Sequence, residues 1–142
     1  MNDLKTIITL FRATDAFSKA IQKDVKGYGL NVTEFGIMEA LYHKKKMSIK
    51  ALLEKVLITN STMSYVIEQL LKKDYVQKQQ SEADRRSYVL ELSKKGYHLM
   101  DSAFNLHQKH MRSIIDVLSD EEEKQLRDML KRIGKRANEY DV

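Results

Sequence analysis

Apolar residues recur at every third or fourth position along most of the chain, which is the spacing of helices that bury one face. The first such series covers residues 4–25, and it ends at Gly27 and Gly29 because glycine tolerates the left-handed conformation that terminates helices. Its apolar members are Leu4, Ile7, Ile8, Phe11, Phe17, Ala20, Ile21 and Val25. Thr33 is the predicted cap of a second helix, whose buried side consists of Phe35, Ile37, Met38 and Leu41.

The middle of the chain predicts a short helix followed closely by a longer one. Ser48 is the candidate cap of the short helix, and a turn at residues 57–58 leads to Thr59, the candidate cap of the next helix. The buried positions of the longer helix are Met63, Val66, Ile67, Leu70 and Leu71. Its outer face is small and polar with one aromatic residue, and consists of Ser61, Thr62, Ser64, Tyr65 and Glu68.

The period changes from helical to alternating after residue 74. Residues 75–79 and 87–92 have the composition of short strands, and the polar segment 80–86 between them predicts a hairpin turn. The three lysines at 44–46 interrupt the apolar pattern earlier in the chain and predict a solvated turn.

Two more helices complete the chain. Ser93 precedes the first of them, over residues 94–117, and the spacing of Ser119 and Glu122 matches a capping box at the start of the second. The pattern predicts a mainly α fold with a small β-hairpin. Residues 31–96 form the predicted helix-turn-helix lobe, and residues 1–30 and 97–142 contribute the outer helices of a single 142-residue protein.

Positive charge is concentrated in the middle of the chain. Residues 44–95 hold twelve Lys and Arg against six Asp and Glu, whereas the remainder holds thirteen against fourteen. A basic segment between neutral flanks fits an element that binds a polyanion such as DNA, although a solubilising surface has the same composition.

Composition excludes several function classes. The chain has no cysteine, so disulfides, thiolate zinc sites and thiol redox sensing are excluded. No apolar run is long enough to span a membrane, and the N-terminus lacks the features of a signal peptide, so we expect a cytoplasmic protein. We find no phosphate-binding glycine loop and no nucleophile motif, and the acidic residues 120–123 fit a helix N-terminus. We therefore expect neither an enzyme nor a cofactor.

A short helix, a tight turn and a helix with a small polar face describe a helix-turn-helix. Because the major groove admits one helix, short hydrogen-bonding side chains such as Ser61, Thr62 and Ser64 can approach base edges. Tyr65 can pack on a thymine methyl or bind a phosphate. On the evidence of this helix alone, an ordinary amphipathic helix with a neutral polar face is the favoured interpretation.

The basic hairpin tip strengthens the DNA-binding interpretation. An arginine such as Arg85 or Arg86 at the tip can enter the narrow, negative minor groove of A·T-rich DNA, and Asp84 can brace one of the two. A solvated turn with a local ion pair is the alternative. The position of the hairpin directly after a helix-turn-helix favours a DNA-binding wing.

Four segments carry a family resemblance. Residues 84–96 resemble the wing signature of the MarR family of bacterial transcription regulators, an Asp-x-Arg tip that leads into a strand and a Ser-x-x-Gly helix start. Residues 29–35 resemble the family's entry to its second helix, residues 70–76 the end of its recognition helix, with Asp74 where glycine is usual, and residues 118–122 its last connection.

The resemblance implies a homodimer whose first and last helices intertwine, and a pseudo-palindromic DNA site. It gives Arg86 the wing-tip role, with Asp84 orienting it. Many members are released from DNA by small aromatic ligands, and residues 28–44 resemble members that respond to quinones and phenols. The candidate effector-pocket residues, for which a plain core is the favoured interpretation, are Phe11, Met38, Tyr42 and Phe104.

Two alternatives to a ligand-responsive repressor remain at this stage. His107 and His110 are spaced i, i+3 on a helix, which is compatible with a metal-responsive regulator, but a structural site usually needs four ligands and no completing set is evident. A protein-interaction module on the same fold is the other alternative, and the basic middle segment argues against it.

Overall fold

The computed structural model describes residues 3–56, 60–84 and 86–141. Its elements in chain order are α1 (Lys5–Lys26), α2 (Val32–Lys44), β1 (Lys46–Ser48), α3 (Ile49–Val56), α4 (Asn60–Lys72), β2 (Val76–Gln80), β3 (Tyr88–Leu92), α5 (Lys94–Ile115) and α6 (Asp120–Asn138). This architecture confirms the predicted mainly helical fold with a small β element between the fourth and fifth helices.

The chain divides into two compact units, residues 1–107 and residues 108–142. The hydrophobic core lies in the first unit, where α1, α2, α3, α4 and the sheet pack together. Its fully buried large side chains are Val25, Ile37, Met38, Leu41, Leu52, Met63, Leu70, Leu90 and Met100. Most of these positions were predicted from the helical period alone.

The helix starts confirm the predicted caps at α3, α5 and α6 and correct the one at α2. The side chain of Ser48 accepts the backbone N–H of Ala51, and Ser119 forms the predicted capping box with Glu122. The prediction for Thr33 was wrong, because Asn31 caps α2 and Thr33 lies inside the helix. Asn31 Oδ1 accepts the backbone N–H of Glu34, and this bond starts the helix two residues earlier than predicted. The cap predicted at Thr59 lies outside the described residues.

The predicted hairpin is part of a three-stranded antiparallel sheet with the strand order β1-β3-β2. The prediction of a solvated turn at residues 44–46 was therefore partly wrong, since Lys46 begins β1 and pairs with Glu91 of β3. A three-residue strand is too short to show alternation. Only its pairing with β3, which comes from a distant part of the sequence, defines it.

The junction between α4, the sheet and α5 is tightly packed. Asp74 adopts a left-handed φ of 62°, so it takes the conformation for which glycine is favoured at this turn. The hydroxyl of Ser93 donates to the carbonyl of Asp74 at 2.6 Å and accepts the backbone N–H of Gly96 at 3.0 Å. One serine side chain therefore joins the turn before β2 to the first turn of α5.

Apolar side chains remain exposed on the outer helices of each unit. In the first unit they lie at the start of α1, at Leu4, Ile7, Ile8 and Phe11. In the second unit they lie on α6, at Leu126, Met129, Leu130 and Ile133, and just after its end, at Tyr140. These faces match the periodic apolar positions of the sequence, yet this chain by itself leaves them uncovered.

The α5–α6 corner of the second unit is held by ion pairs. Arg112 contacts Asp116 on its own helix and Glu123 on α6, each at 2.6 Å, and Arg127 also contacts Glu123. The guanidinium of Arg112 lowers the pKa of Glu123 by its hydrogen bonds. Among the described residues, no helix combines the length and the apolar character that a membrane span requires.

Candidate nucleic-acid interface

Helix α4 has one buried face and one exposed face. Met63, Val66, Ile67 and Leu70 are buried in the core of the first unit. The exposed face contains the four residues predicted to read DNA, namely Ser61, Thr62, Ser64 and Tyr65. Tyr65 has the largest side chain on this face and is 66% exposed. The structure therefore brings the four candidates together on a surface that a DNA groove can approach.

The helix before α4 completes a helix-turn-helix arrangement. Leu52 of α3 is fully buried, and α3 packs against α2. Residues 57–59, which include the predicted turn and the predicted Thr59 cap, lie outside the described residues. A short supporting helix, α3, is thus followed by a longer polar-faced one, α4, as the pattern of the sequence predicted.

An ion pair fixes the end of α4 to the start of α2. Lys73 Nζ lies 2.7 Å from Glu34 Oε2, and Glu34 is only 3% exposed. The other oxygen of Glu34 accepts the backbone N–H of Asn31, so the carboxylate serves both the helix cap and the ion pair. No local pattern of the sequence predicts this pair, because its partners are 39 residues apart.

The tip of the hairpin is ordered by Asp84. Its carboxylate accepts the backbone N–H of Arg86 at 3.0 Å and the hydroxyl of Ser87 at 3.3 Å. This contact orients the backbone of Arg86 and leaves its exposed side chain free to extend from the tip. Arg85, the other predicted wing arginine, lies outside the described residues.

Basic residues are exposed on several elements of the first unit. Exposed lysines lie on α3 and β2 and at the start of α5, where the sequence had placed the excess positive charge. They are Lys50, Lys55, Lys78, Lys94 and Lys95. Such a surface attracts a polyanion and favours its association.

The predicted effector-pocket residues occupy three different environments. Tyr42 and Phe104 lie together, with ring centroids 5.7 Å apart, whereas Met38 is fully buried in the core and Phe11 is exposed on α1. Tyr97 and His43 extend the pair of Tyr42 and Phe104 into an aromatic cluster. The hydroxyl of Tyr42 donates to Asp101 at 2.7 Å, and this hydrogen bond raises the pKa of Tyr42.

A polar cluster of Asp24, Tyr28 and His107 was not predicted from the sequence. The carboxylate of Asp24 lies 2.8 Å from His107 Nδ1 and accepts the hydroxyl of Tyr28 at 3.0 Å. Burial, together with this hydrogen bond, raises the pKa of Tyr28 to about 12. Within the described residues, no three His, Asp or Glu side chains are grouped so as to hold a metal ion.

The comparisons with known proteins agree with this geometry. The model of the MarR family matches residues 30–88. The HTH-type transcriptional regulator MhqR of Bacillus subtilis is 33% identical over 137 residues, which cover 96% of this chain and 94% of that protein. The chain belongs to the MarR family. The resemblance noted in the sequence is thereby confirmed, and so is the expectation of a transcription regulator rather than an enzyme.

Solved structures of MarR-family regulators share the fold. Sco3205 of Streptomyces coelicolor, solved in complex with DNA, superposes with a TM-score of 0.83 at 18% identity, covering 92% of this chain and 84% of that one. NadR, solved in complex with 4-hydroxyphenylacetate, superposes with a TM-score of 0.74 at 18% identity, covering 95% and 96%. At such identities these likenesses establish the fold.

Proposed function

We propose that this MarR-family protein binds a pseudo-palindromic site in double-stranded DNA as a homodimer, acts as a repressor in the cytoplasm, and is released by a small phenolic ligand. The observation that carries the proposal is the exposed polar face of α4, which lies beside a basic hairpin. In this reading Ser61, Thr62, Ser64 and Tyr65 contact base edges in the major groove.

The hairpin acts as the wing. Asp84 holds the backbone of Arg86, so that the arginine side chain extends from the tip towards the minor groove. Arg85 is proposed to share this role on the basis of its sequence position alone. The related fold of Sco3205 was solved on DNA, which supports the same use of this surface.

Dimerisation is proposed through the outer helices, within residues 1–30 and 97–142. The uncovered apolar side chains of α1 and of α6 support this, because a monomer gains nothing from exposing them and a partner copy removes them from water. A two-fold dimer presents two copies of α4 and requires half-sites about one helical turn apart.

The effector is proposed to be a phenolic compound that contacts Tyr42 and Phe104. These rings adjoin each other, and NadR holds the phenolic acid 4-hydroxyphenylacetate on the same fold. Phe11 and Met38 are also proposed to contact the effector. Phe11 reaches it in the dimer, and Met38 reaches it after a shift of the core. The ligand can release DNA only by its difference in affinity between two dimer conformations.

Selection from genomic DNA tests DNA binding. The purified protein is mixed with sheared DNA from its source organism, and the retained fragments are sequenced. We expect a palindrome with half-sites about one turn apart. A variant with Ser64→Ala and Tyr65→Ala is expected to recover a relaxed sequence with similar salt dependence, since base contacts specify and phosphate contacts position. Absence of any enriched sequence, even at low salt, contradicts the proposal.

Effector release is tested separately on the recovered site. We expect 4-hydroxyphenylacetate to weaken binding, and a Phe104→Ala variant to respond less while it binds DNA normally. Phenylacetate, which lacks the hydroxyl, is the matched control ligand. If neither compound changes DNA affinity, release by 4-hydroxyphenylacetate is contradicted and DNA reading stands unaffected.

A further inference from the structure

The two faces of the β2–β3 hairpin differ in chemistry. Residues directly opposite in an antiparallel pair point to the same face, and alternate residues of a strand share that face. The register therefore groups three cross-strand pairs on one face, which we name the inner wing face: Val76 with Leu92, Lys78 with Leu90, and Gln80 with Tyr88.

The inner wing face continues from the core towards the tip. At its base Val76 and Leu90 are buried, and β2 packs against α4, the DNA-reading helix. Nearer the tip Lys78, Gln80 and Tyr88 are exposed. This exposed half therefore belongs to the same strand pair whose β2 packs against α4.

Charge distinguishes the two faces of the hairpin. Glu91 lies on the opposite face, where its carboxylate contacts Lys46 Nζ at 3.8 Å and Gln79 Nε2 at 3.2 Å. The inner wing face has no acidic member, and Lys78 is its one cation. The inner wing face is consequently the side suited to a polyanion.

Lys78 is held by an aromatic ring. Its Nζ lies 4.1 Å from the ring centroid of Tyr88, which is diagonal to it across the two strands. Attraction between an ammonium group and the face of an aromatic ring restricts a side chain that is otherwise long and flexible. A cation restrained before binding loses less conformational freedom when it meets a phosphate.

We propose that Tyr88 is a positioning residue that holds Lys78 Nζ on the inner wing face as a contact to the phosphate backbone of duplex DNA. This inference rests on the proposed DNA-binding function and adds a wing contact separate from the one at Arg86. Lys78 supplies the charge, and Tyr88 contributes through its ring rather than through its hydroxyl.

The test uses the full-length protein and a fluorescein-labelled duplex of random sequence, about 30 base pairs or three helical turns long. Binding is measured by fluorescence anisotropy over a series of salt concentrations. The variants are Lys78→Gln, Tyr88→Phe, Tyr88→Leu and the double variant Lys78→Gln/Tyr88→Leu. Lys23→Gln, which removes an exposed lysine of α1, is the charge-matched control.

Each variant has a distinct expected result. Lys78→Gln weakens binding and reduces the slope of log Kd against log salt by about 0.9, the effect of one lost phosphate contact. Tyr88→Leu weakens binding about two- to fivefold, as expected for loss of an exposed cation–ring contact, whereas Tyr88→Phe binds like the wild type. Tyr88→Leu has no further effect in the Lys78→Gln background, which is the readout that separates positioning from general stability.

Three outcomes contradict the inference. If Lys78→Gln has the same DNA affinity and salt slope as Lys23→Gln, Lys78 does not contact a phosphate. If Tyr88→Leu lowers DNA affinity equally with and without Lys78, the tyrosine acts independently of the lysine. If Tyr88→Phe also lowers DNA affinity, the effect belongs to the hydroxyl rather than to the ring. If the wild type itself fails to bind the duplex at low salt, the proposed function fails. Steep salt-dependent binding by the wild type with unaffected variants overturns only this inference.

Discussion

A Cβ atom placed on Gly96 would lie 2.0 Å from the backbone carbonyl oxygen of Tyr75. The first turn of α5 therefore packs directly on the backbone that leads into β2. The same carbonyl accepts the N–H of Ser93 at 2.9 Å, so its position is fixed by a hydrogen bond and cannot shift freely. Glycine at position 96 is required by this close approach rather than by helix termination.

Gly96→Ala is expected to destabilise the protein by about 1–3 kcal/mol, because the added methyl group forces the backbone at Tyr75 or the start of α5 to move. Urea denaturation measures the change. Gly36→Ala is the control, since its nearest atom is Val56 Cγ1 at an ordinary 3.8 Å. We expect that variant to be as stable as the wild type or more stable, because alanine favours a helix interior. Equal stability of the two variants contradicts the packing described.

Lys73→Met is expected to lower stability by about 1–3 kcal/mol, because it leaves the buried carboxylate of Glu34 without its cation. Glu34→Gln in the same chain recovers part of the loss, since an amide needs no counter-charge and keeps an oxygen for the Asn31 cap. The exposed pair of Lys19 and Asp15, 3.0 Å apart, gives the control Lys19→Met, which changes stability little. Urea midpoints of the wild type, Lys73→Met, Glu34→Gln and the double variant give the coupling free energy, and additive losses of stability would count against the ion pair.

Arg86→Ala is expected to weaken binding to the selected DNA site by about 1–3 kcal/mol. The loss of affinity is expected to be larger at sites with an A·T-rich sequence under the wing, because a narrow minor groove attracts arginine. Arg12→Ala, an exposed arginine of α1, removes the same charge and serves as control. Fluorescence anisotropy on matched A·T-rich and G·C-rich sites measures both effects. Unchanged affinity for Arg86→Ala removes the wing arginine from the proposed interface.

Stability is expected to fall at alkaline pH through Tyr28. Its pKa rises from 10.0 to about 12 in the folded protein, so folding favours the neutral phenol. The stabilisation is complete below pH 10 and is lost as the pH rises through about 12. The urea midpoint is therefore expected to drop more steeply across this range in the wild type than in Tyr28→Phe.

Tyr65→Phe serves as the control for Tyr28, since Tyr65 is exposed on α4. Its pH profile is expected to follow that of the wild type. If the urea midpoint of Tyr28→Phe changes with pH in parallel with both, the hydroxyl bonded to Asp24 does not contribute to the loss of stability at alkaline pH.

Much of the helix-turn-helix and wing was predictable because the responsible signals are local. The buried positions Met63, Val66 and Leu70 follow from helical spacing, which leaves Ser64 and Tyr65 exposed without any knowledge of the rest of the fold. The wing was predictable for a similar reason, since its strands and basic tip adjoin one another in sequence. The predicted α2 cap failed although a local signal was available, since Glu34 follows Asn31 at the three-residue spacing of a capping box and the two residues form that box.

The amino-acid sequence by itself determined the order of the helices, the inward face of each, the concentration of positive charge and the absence of thiol chemistry. All of these depend on residue type and short spacing. The tertiary structure decided the pairing of β1 with β3, the contact of Lys73 with Glu34, the grouping of Asp24 with His107, and the position of Lys78 over Tyr88. These contacts depend on how distant segments pack or on strand register, and no local pattern of side chains specifies either.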